Sequence, residues 1–511
     1  MTSPTYGVIF NETTTAPYAV AIGDMSVIGI VTPVDDAAAS SFPLNTPVAF
    51  NSSDPAWLAN IGTGALAQAV QSINNQLAQF ESAATLVVVA VADGTGTGAA
   101  KIASTIANLV GSQAAGTGIY ALLKAGQITG FIPRIVIVPG YTGYAPLSVA
   151  SASIVGGVGV TSATQVTFSP AGATGVVQVN AGVASINMTN PGSYAPGTTI
   201  TATLSGGGYS AGSVTVTTQT TVNPLLATLP AVLTSLSAVA YVADAGDGVY
   251  ANAIAWRQLL ASDRLAPCDA WVIPGGNIPV LGAAYTDGVA EAAGLQVAVD
   301  FAHGGLPGWS ISGHQVLGIA GLKNYYPFSL TDGSTEGQQL LANQISTIEA
   351  GVIASDTAAA SSGFVWQGVW NASTLSTTWF LNKRRMKDWC YLQLIKTIRR
   401  HLGLNNTTPQ SIQDVLNDMQ VLGAFLLSQQ ISIGFAVTFQ PSLTSPTNLQ
   451  QGQFTLGFAN EVPAPITLVT ILASDYYQAL IVEEQTIIAE ASGITPEYIS
   501  AASSSTSTVV G

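Results

Sequence analysis

The stretch Asp93 to Lys101, DGTGTGAAK, follows an apolar run and sets Gly94, Gly96 and Ala99 in the G-x-G-x-x-G/A spacing of a dinucleotide-binding turn. In that chemistry the glycines let backbone approach a pyrophosphate, and an acid about twenty residues on holds the ribose. Between Lys101 and Arg134 there is no Asp or Glu, so the ribose has no carboxylate and the stretch reads as a strand-to-helix loop. No G-x-x-x-x-G-K-[ST] phosphate loop and no G-x-S-x-G nucleophile elbow occurs. His303 and His314 bracket a Gly-rich segment with only Asp300 beside them, and His401 stands apart, which is a poor ligand set for a metal. The expectation is a chain with no catalytic, cofactor-binding or metal-ligating residues and no cofactor.

The strongest concentration of chemistry is basic. Seven of the thirteen Lys and Arg residues, Lys383, Arg384, Arg385, Lys387, Lys396, Arg399 and Arg400, fall on one amphipathic stretch of an otherwise acidic chain. A solvated helix face is the plain reading. Because the rest of the surface avoids charge, these seven are the candidate docking face for an acidic patch on a partner, where complementary charge sets register and orientation.

Charged residues make up 8% of the 511 and apolar residues 48%, against roughly 25% charged in an ordinary soluble domain. A surface of neutral polar groups costs less to desolvate than one of charges, so much of it is expected to lie against other protein. The net charge of -14 opposes polynucleotide binding, which needs cations to release counterions from phosphate. Cys268 and Cys390 are too few for a disulfide framework, and the first residues carry no signal-peptide pattern, so assembly in a reducing cytoplasm is expected. Leu225 to Ala243 is uncharged over a membrane-span length. Pro230 and several hydroxyl residues interrupt it, and a helix Leu225–Ser237 running into a strand Ala238–Ala243 explains it without a membrane.

The elements that would position these groups alternate. Ser26–Val31, Thr85–Ala92 and Arg134–Gly140 are apolar runs of the kind covered on both faces, with helices expected near Gly64–Phe80, Lys101–Val110 and Gly118–Gly126. Alternation of this kind predicts a mixed or parallel α/β sheet. From Ile135 to Ala243 no Asp, Glu, Lys or Arg occurs, and period-two runs such as ATQVTFS and TTITATLS mark a β-rich insertion. The α/β pattern resumes with AVAYVAD, a helix carrying Trp256 and the strand CDAWVIPGG. A polar helix is expected at Ser334–Ile348, then FVWQGVW, an amphipathic helix Asn382–Leu402 with Met386, Trp389, Cys390, Leu394, Ile395 and Ile398 on one stripe, and a helix Ser411–Ser428. ISIGFAVTF and QFTLGFANEV read as paired strands, and both chain ends as arms without a core of their own.

In this order, several segments resemble the contractile tail sheath proteins of myophages, which are related to R-type pyocin sheaths. They are FPLNTPVAF, IPRIVIVPGYTG, SAVAYVADAGDG with the Trp256 helix, GWSISGHQVLGIAGL, NKRRMKDWCYLQLIKTIRR and NLQQGQFTLGFANEVPAPITLVTILAS. Two departures stand out: the fourth segment lacks the family's proline and asparagine, and WNASTLST stands where the family has glycine, arginine and threonine. GSYAPGTTITATLSGGG is similar to Gly-rich β repeats of other phage structural proteins.

The resemblance implies a multidomain α/β chain: an N-terminal arm (1–20), a sheath core in two parts (21–145 and 223–360) and a β-rich surface insertion (146–222). A C-terminal inner sheath domain (361–490) and a C-terminal arm (491–511) complete it. It implies a non-enzymatic structural subunit that self-assembles helically through its arms around an inner tail tube and contracts to drive the tube through the host envelope. Its implied partners are copies of itself, the inner tube protein, and baseplate and tail terminator proteins, without nucleic acid or direct membrane insertion. The implied location is the virion tail, assembled in the host cytoplasm, with the basic helix near the tube. The alternatives are another virion structural protein (baseplate, capsid or adhesin) or a dinucleotide-binding α/β enzyme.

Overall fold

Apolar runs without a polar face can only be buried on both sides, and in the computed structural model they line up at the centre of one sheet. The structure describes residues 25–34, 36–275, 285–351 and 363–491. The arms expected at 1–20 and, apart from Ala491, at 491–511 lie outside the described residues. The described residues fall into two units, 25–465 and 466–491.

In the first unit, β1 (Ile28–Pro33), β2 (Pro47–Asn51), β3 (Thr85–Val91) and β4 (Ile135–Ile137) are connected by α1 (Pro55–Leu58), α2 (Ala65–Leu77), α3 (Gly98–Val110), a 3-10 turn Gly118–Lys124 and α4 (Ala125–Thr129). The charge-poor segment then supplies β5 (Leu147–Val158), β6 (Gln165–Ser169), β7 (Thr174–Asn180), β8 (Val183–Asn190), β9 (Thr201–Ser205) and β10 (Ala211–Thr220). They pair antiparallel as β5 with β10, β6 with β9 and β7 with β8, over a small core of Val149, Phe168, Tyr194 and Ile200. The Ala173 amide donates to the Tyr194 hydroxyl at 2.5 Å inside it.

The chain re-enters the large sheet through α5 (Pro224–Leu236), β11 (Val239–Ala243), α6 (Tyr250–Gln258) and β12 (Leu265–Asp269). The expected single strand CDAWVIPGG is two: the chain leaves the large sheet after Asp269, and β13 (Trp271–Pro274) joins a second sheet with β14 (Thr286–Asp287) and β15 (Ile319–Leu322). Between them lies α7 (Val289–Ala302), a helix that no periodicity announces because it has no polar face, being buried from Val289 to Asp300. Its Gly294 allows close approach to α2, since a Cβ there would lie 2.8 Å from the Ile73 Cα. The expected polar helix Ser334–Ile348 is also corrected. α8 (Glu336–Ala342) stops at Asn343, Gln344 adopts a left-handed φ of 63°, and the chain turns into β16 (Ser346–Ala350), which pairs with β17 (Phe364–Gln367).

The large sheet has the order β17-β16-β12-β11-β4-β1-β3-β2, parallel from β16 to β3 and closed by antiparallel strands at both edges. Alternate residues of each central strand serve opposite cores. Ile28, Ile30, Leu86 and Val88 face α2 and α7, whereas Val31, Val87, Val89 and Val136 face α3 and α5. The unit ends with α9 (Leu381–Arg399), α10 (Pro409–Ser428), β18 (Gly434–Phe439), α11 (Pro446–Gln450) and β19 (Leu456–Glu461). A capping box of Thr408 and Ser411 starts α10, and β18 pairs antiparallel with β19. Met386, Trp389 and Cys390 of α9 pack with Leu422, Leu426 and Val462, while Ile395 of the expected stripe is 62% exposed. The second unit contains α12 (Tyr477–Ala491), none of whose residues is buried.

Candidate assembly surfaces

The basic residues lie on α9, but their surroundings divide them. Arg385 is 1% exposed, and its guanidinium holds Asp300 of α7 in two parallel bonds of 2.8 and 2.6 Å while also donating to the Met25 carbonyl at 3.1 Å. Ser26 and Gln296 donate to the same carboxylate, and Tyr241 donates to Gln296. Burial pulls the Arg385 guanidinium down, but Asp300 more than restores it, leaving its pKa above the ordinary value. Next to this network Asp388, also buried, is gripped by Arg264 at 2.6 and 3.0 Å and by Arg384, which also reaches Asp263 at 3.2 Å. These pairs pin α9 to the α/β core. Such pairs orient more than they stabilise, yet losing one partner strands a buried charge.

Toward the surface, Lys383 pairs with Glu461 of β19 at 2.5 Å, and Arg400 and His401 both hold Asp418 of α10. Thus Lys383, Arg384, Arg385 and Arg400 spend their charge within the chain. Lys387, Lys396 and Arg399 make no ion pair among the described residues, and the last two are exposed. Of the acids that select between the two groups, only Asp388 was legible beforehand, four residues after Arg384. Asp263 and Asp300 lie 121 and 85 residues away.

The other groups marked by the sequence have local roles. The Asp93 carboxylate pairs with Lys101 at 2.5 Å and accepts from the Gly94 amide and the Thr105 hydroxyl, and Lys101 first among these holds its pKa below the usual range. The loop is folded onto α3, and a Cβ on Gly94 would collide with the Lys101 carbonyl oxygen. The Gly94 amide, which a phosphate would need, is taken up by the Asp93 carboxylate and the Thr105 hydroxyl. His303 stacks on Trp309 with centroids 3.9 Å apart, and His314 Nδ1 lies 3.3 Å from the Ser312 carbonyl oxygen. Among the described residues no three His, Cys, Asp or Glu side chains are grouped to hold a metal. Cys268 and Cys390 are buried free thiols. Among the described residues no helix is long and apolar enough to cross a membrane.

Unpartnered surface of another kind gathers near the C-terminus. Ile466, Leu468, Ile471 and Leu472 are 86, 82, 81 and 94% exposed. An apolar segment outside any helix or strand, followed by a helix without a buried residue, has no core of its own among the described residues. Among the described residues the two-stranded sheet of β18 and β19 pairs with no further strand on either side.

No protein-family profile matches the sequence. A segment of 138 residues, 27% of this chain and 34% of the relative, is 39% identical to the major tail sheath protein of Serratia phage KSP20. A segment of 119 residues, 22% of this chain and 29% of the relative, is 37% identical to the tail sheath protein of Escherichia phage P2. The similarity therefore spans about a third of the length of these relatives. In fold the agreement is far longer. The sheath complex of an extracellular contractile injection system (PVC) in its contracted state superposes with a TM-score of 0.53 at 11% identity, covering 94% of this chain and 100% of that one. The contracted helical sheath of the anti-feeding prophage gives 0.53 at 10% identity, covering 93% and 99%. A chain of the anti-feeding prophage baseplate structure gives 0.52 at 9% identity, with the same coverage. The chain thus has, over nearly its whole length, the fold found in contractile sheath structures, and in one stretch it resembles phage tail sheath proteins in sequence.

Proposed function

We propose that this chain is the structural subunit of a contractile tail sheath, assembling helically with copies of itself around an inner tube and contracting to drive that tube through the host envelope. The observation that carries the reading is the segment 39% identical to a major tail sheath protein. The sheath fold over nearly the whole chain, and an apolar C-terminal segment whose Ile466, Leu468, Ile471 and Leu472 are exposed, support it. In this reading the arms at 1–20 and 491–511 add strands to neighbouring subunits, a mode that satisfies backbone groups otherwise left to water. The open edges of β18 and β19 are the receiving sites. The β-rich segment 146–222 projects outward, and 361–490 faces the tube. Lys387, Lys396 and Arg399 present the charge left over for an acidic tube surface, with Lys383, Arg384 and Arg400 behind them and Arg385 serving the internal clamp. Baseplate and terminator proteins bound the lattice at its ends in the virion, after assembly in the host cytoplasm. Contraction is a switch between two packings of one lattice, driven by many small repeated gains.

Negative-stain electron microscopy of the purified chain tests this directly. Hollow, regularly striated cylinders are expected. Discrete monomers or closed rings at every protein concentration would overturn open helical assembly and favour another virion component.

A further inference from the structure

At the C-terminal end of the large sheet, adjacent parallel strands β1 and β4 send their outgoing connections to opposite faces. The connection from β1 passes through β2 and α1 to α2 on one face, and that from β4 passes through β5 to β10 to α5 on the other. In open α/β sheets such a switch point leaves a crevice beyond the strand ends. Here the crevice is a cavity of about 330 Å³, bounded by the Pro139–Tyr141 turn after β4, the first turns of α2 and α7, and Trp271 and Tyr285.

Two acids stand in its wall. Asp287 is 4% exposed and accepts a bond from the Gly140 amide at 2.8 Å, and Glu291 is 1% exposed and accepts from the Ser72 hydroxyl at 2.7 Å through Oε1. Among the described residues Glu291 Oε2 has no hydrogen-bond partner, and neither has the Thr286 hydroxyl in the same wall. A buried carboxylate oxygen without a donor is unfavourable, because it has given up water and gained no partner. Among the described residues neither acid forms an ion pair. Lys323 lies over the Trp271 and Tyr285 rings at 4.9 and 5.7 Å and forms no ion pair with either carboxylate. Its position shows that these two rings present faces a cation can use.

We propose that this cavity binds an organic cation, an ammonium or guanidinium group on a short apolar stem. The group must bring a donor, because the Glu291 Oε2 has none among the described residues. It must bring positive charge, because the two acids have no ion-pair partner among the described residues. Its stem lies against Ala69, Ile102 and the aromatic side chains. A lysine or arginine side chain from a neighbouring copy and a free small amine both have this chemistry.

The test is calorimetric titration of the full chain at pH 8 with butylguanidinium and butylammonium, using butanol as the neutral counterpart. Saturable binding of either cation is expected, weakened at least tenfold in Glu291→Gln and absent for butanol. No saturable binding, equal binding of butanol, or a Glu291→Gln protein that binds as tightly as the parent would overturn the site. The butanol comparison decides the matter even where the variant does not fold. The same titration on assembled cylinders separates the sources. Binding retained identifies a free solute, and binding lost identifies the side chain of a neighbouring copy. The solution measurement stands whether or not cylinders form, so the site can fail without the sheath reading and the reverse.

Discussion

Arg385 and Asp300 show how a cation that looks available can be committed. The pair is fully buried, and Asp300 is the main group that holds the charge on the Arg385 guanidinium. Replacing Arg385 by Met leaves Asp300 buried without its counter-ion, which is expected to cost about 3–5 kcal/mol in urea unfolding. Arg385→Met combined with Asp300→Asn should cost clearly less than the sum of the two single changes, and a strictly additive result would show that the pair does not act as a unit. Glu291 carries the opposite sign. Burial pushes its pKa from 4.5 up to about 7, and Asp287 rises from 3.8 to about 6 for the same reason. The folded chain therefore holds protons that the unfolded chain releases, and stability present below about pH 4.5 is lost as pH rises through 7. At about 1.4 kcal/mol per pKa unit, Glu291→Gln should stabilise the chain by up to about 3 kcal/mol at pH 8 and by little at pH 4. Thermal melts across that range check it, and a gain independent of pH would exclude the titration of Glu291 as its source.

At the scale of elements, α9 is a clamp on one side and a surface on the other. Charge reversal at Arg384 or Arg385 would disrupt the bonds to Asp388 and Asp300 and so damage the fold before it tested any contact with a tube. The informative variant is Lys387→Glu, Lys396→Glu, Arg399→Glu, three positions without an ion-pair partner among the described residues. It is expected to leave the melting of the unassembled subunit essentially unchanged and to shorten the lifetime of extended tails, counted by microscopy after a salt or temperature challenge. Tails as durable as the parent's would remove these residues from the tube interface. The salt dependence of the parent should be marked, since exposed charges are screened over about 8 Å at physiological ionic strength.

For the whole molecule, the separation into units locates the cost of assembly. Truncation after Pro465 removes a segment in which Ile466, Leu468 and Leu472 are more than four-fifths exposed and a helix with no buried residue. The remaining chain keeps both faces of the large sheet covered. Its unfolding midpoint is expected to stay in place while cylinders fail to form. A truncated chain that still builds cylinders would show that the segment is dispensable for self-association.

The sheet was readable in advance because its cause is local. Runs such as TLVVVAV and IVI carry no polar face and must be covered twice, and the alternation with helices then implies parallel strands. The pairing of GFAVTF with LGFANE was readable for a similar reason, two β-rich runs close in sequence. What failed to show was of another kind. The helix α7 has no period because every side is covered. The change of sheet after Asp269 depends on which strands stand beside it, and β16 begins where Gln344 turns the chain. The basic helix was visible as a concentration of charge, but its division into paired and unpaired cations was not. Composition records how many charges a chain has, whereas desolvation and ion pairing depend on which distant carboxylates the fold brings within 3 Å, and that is a property of the folded chain alone.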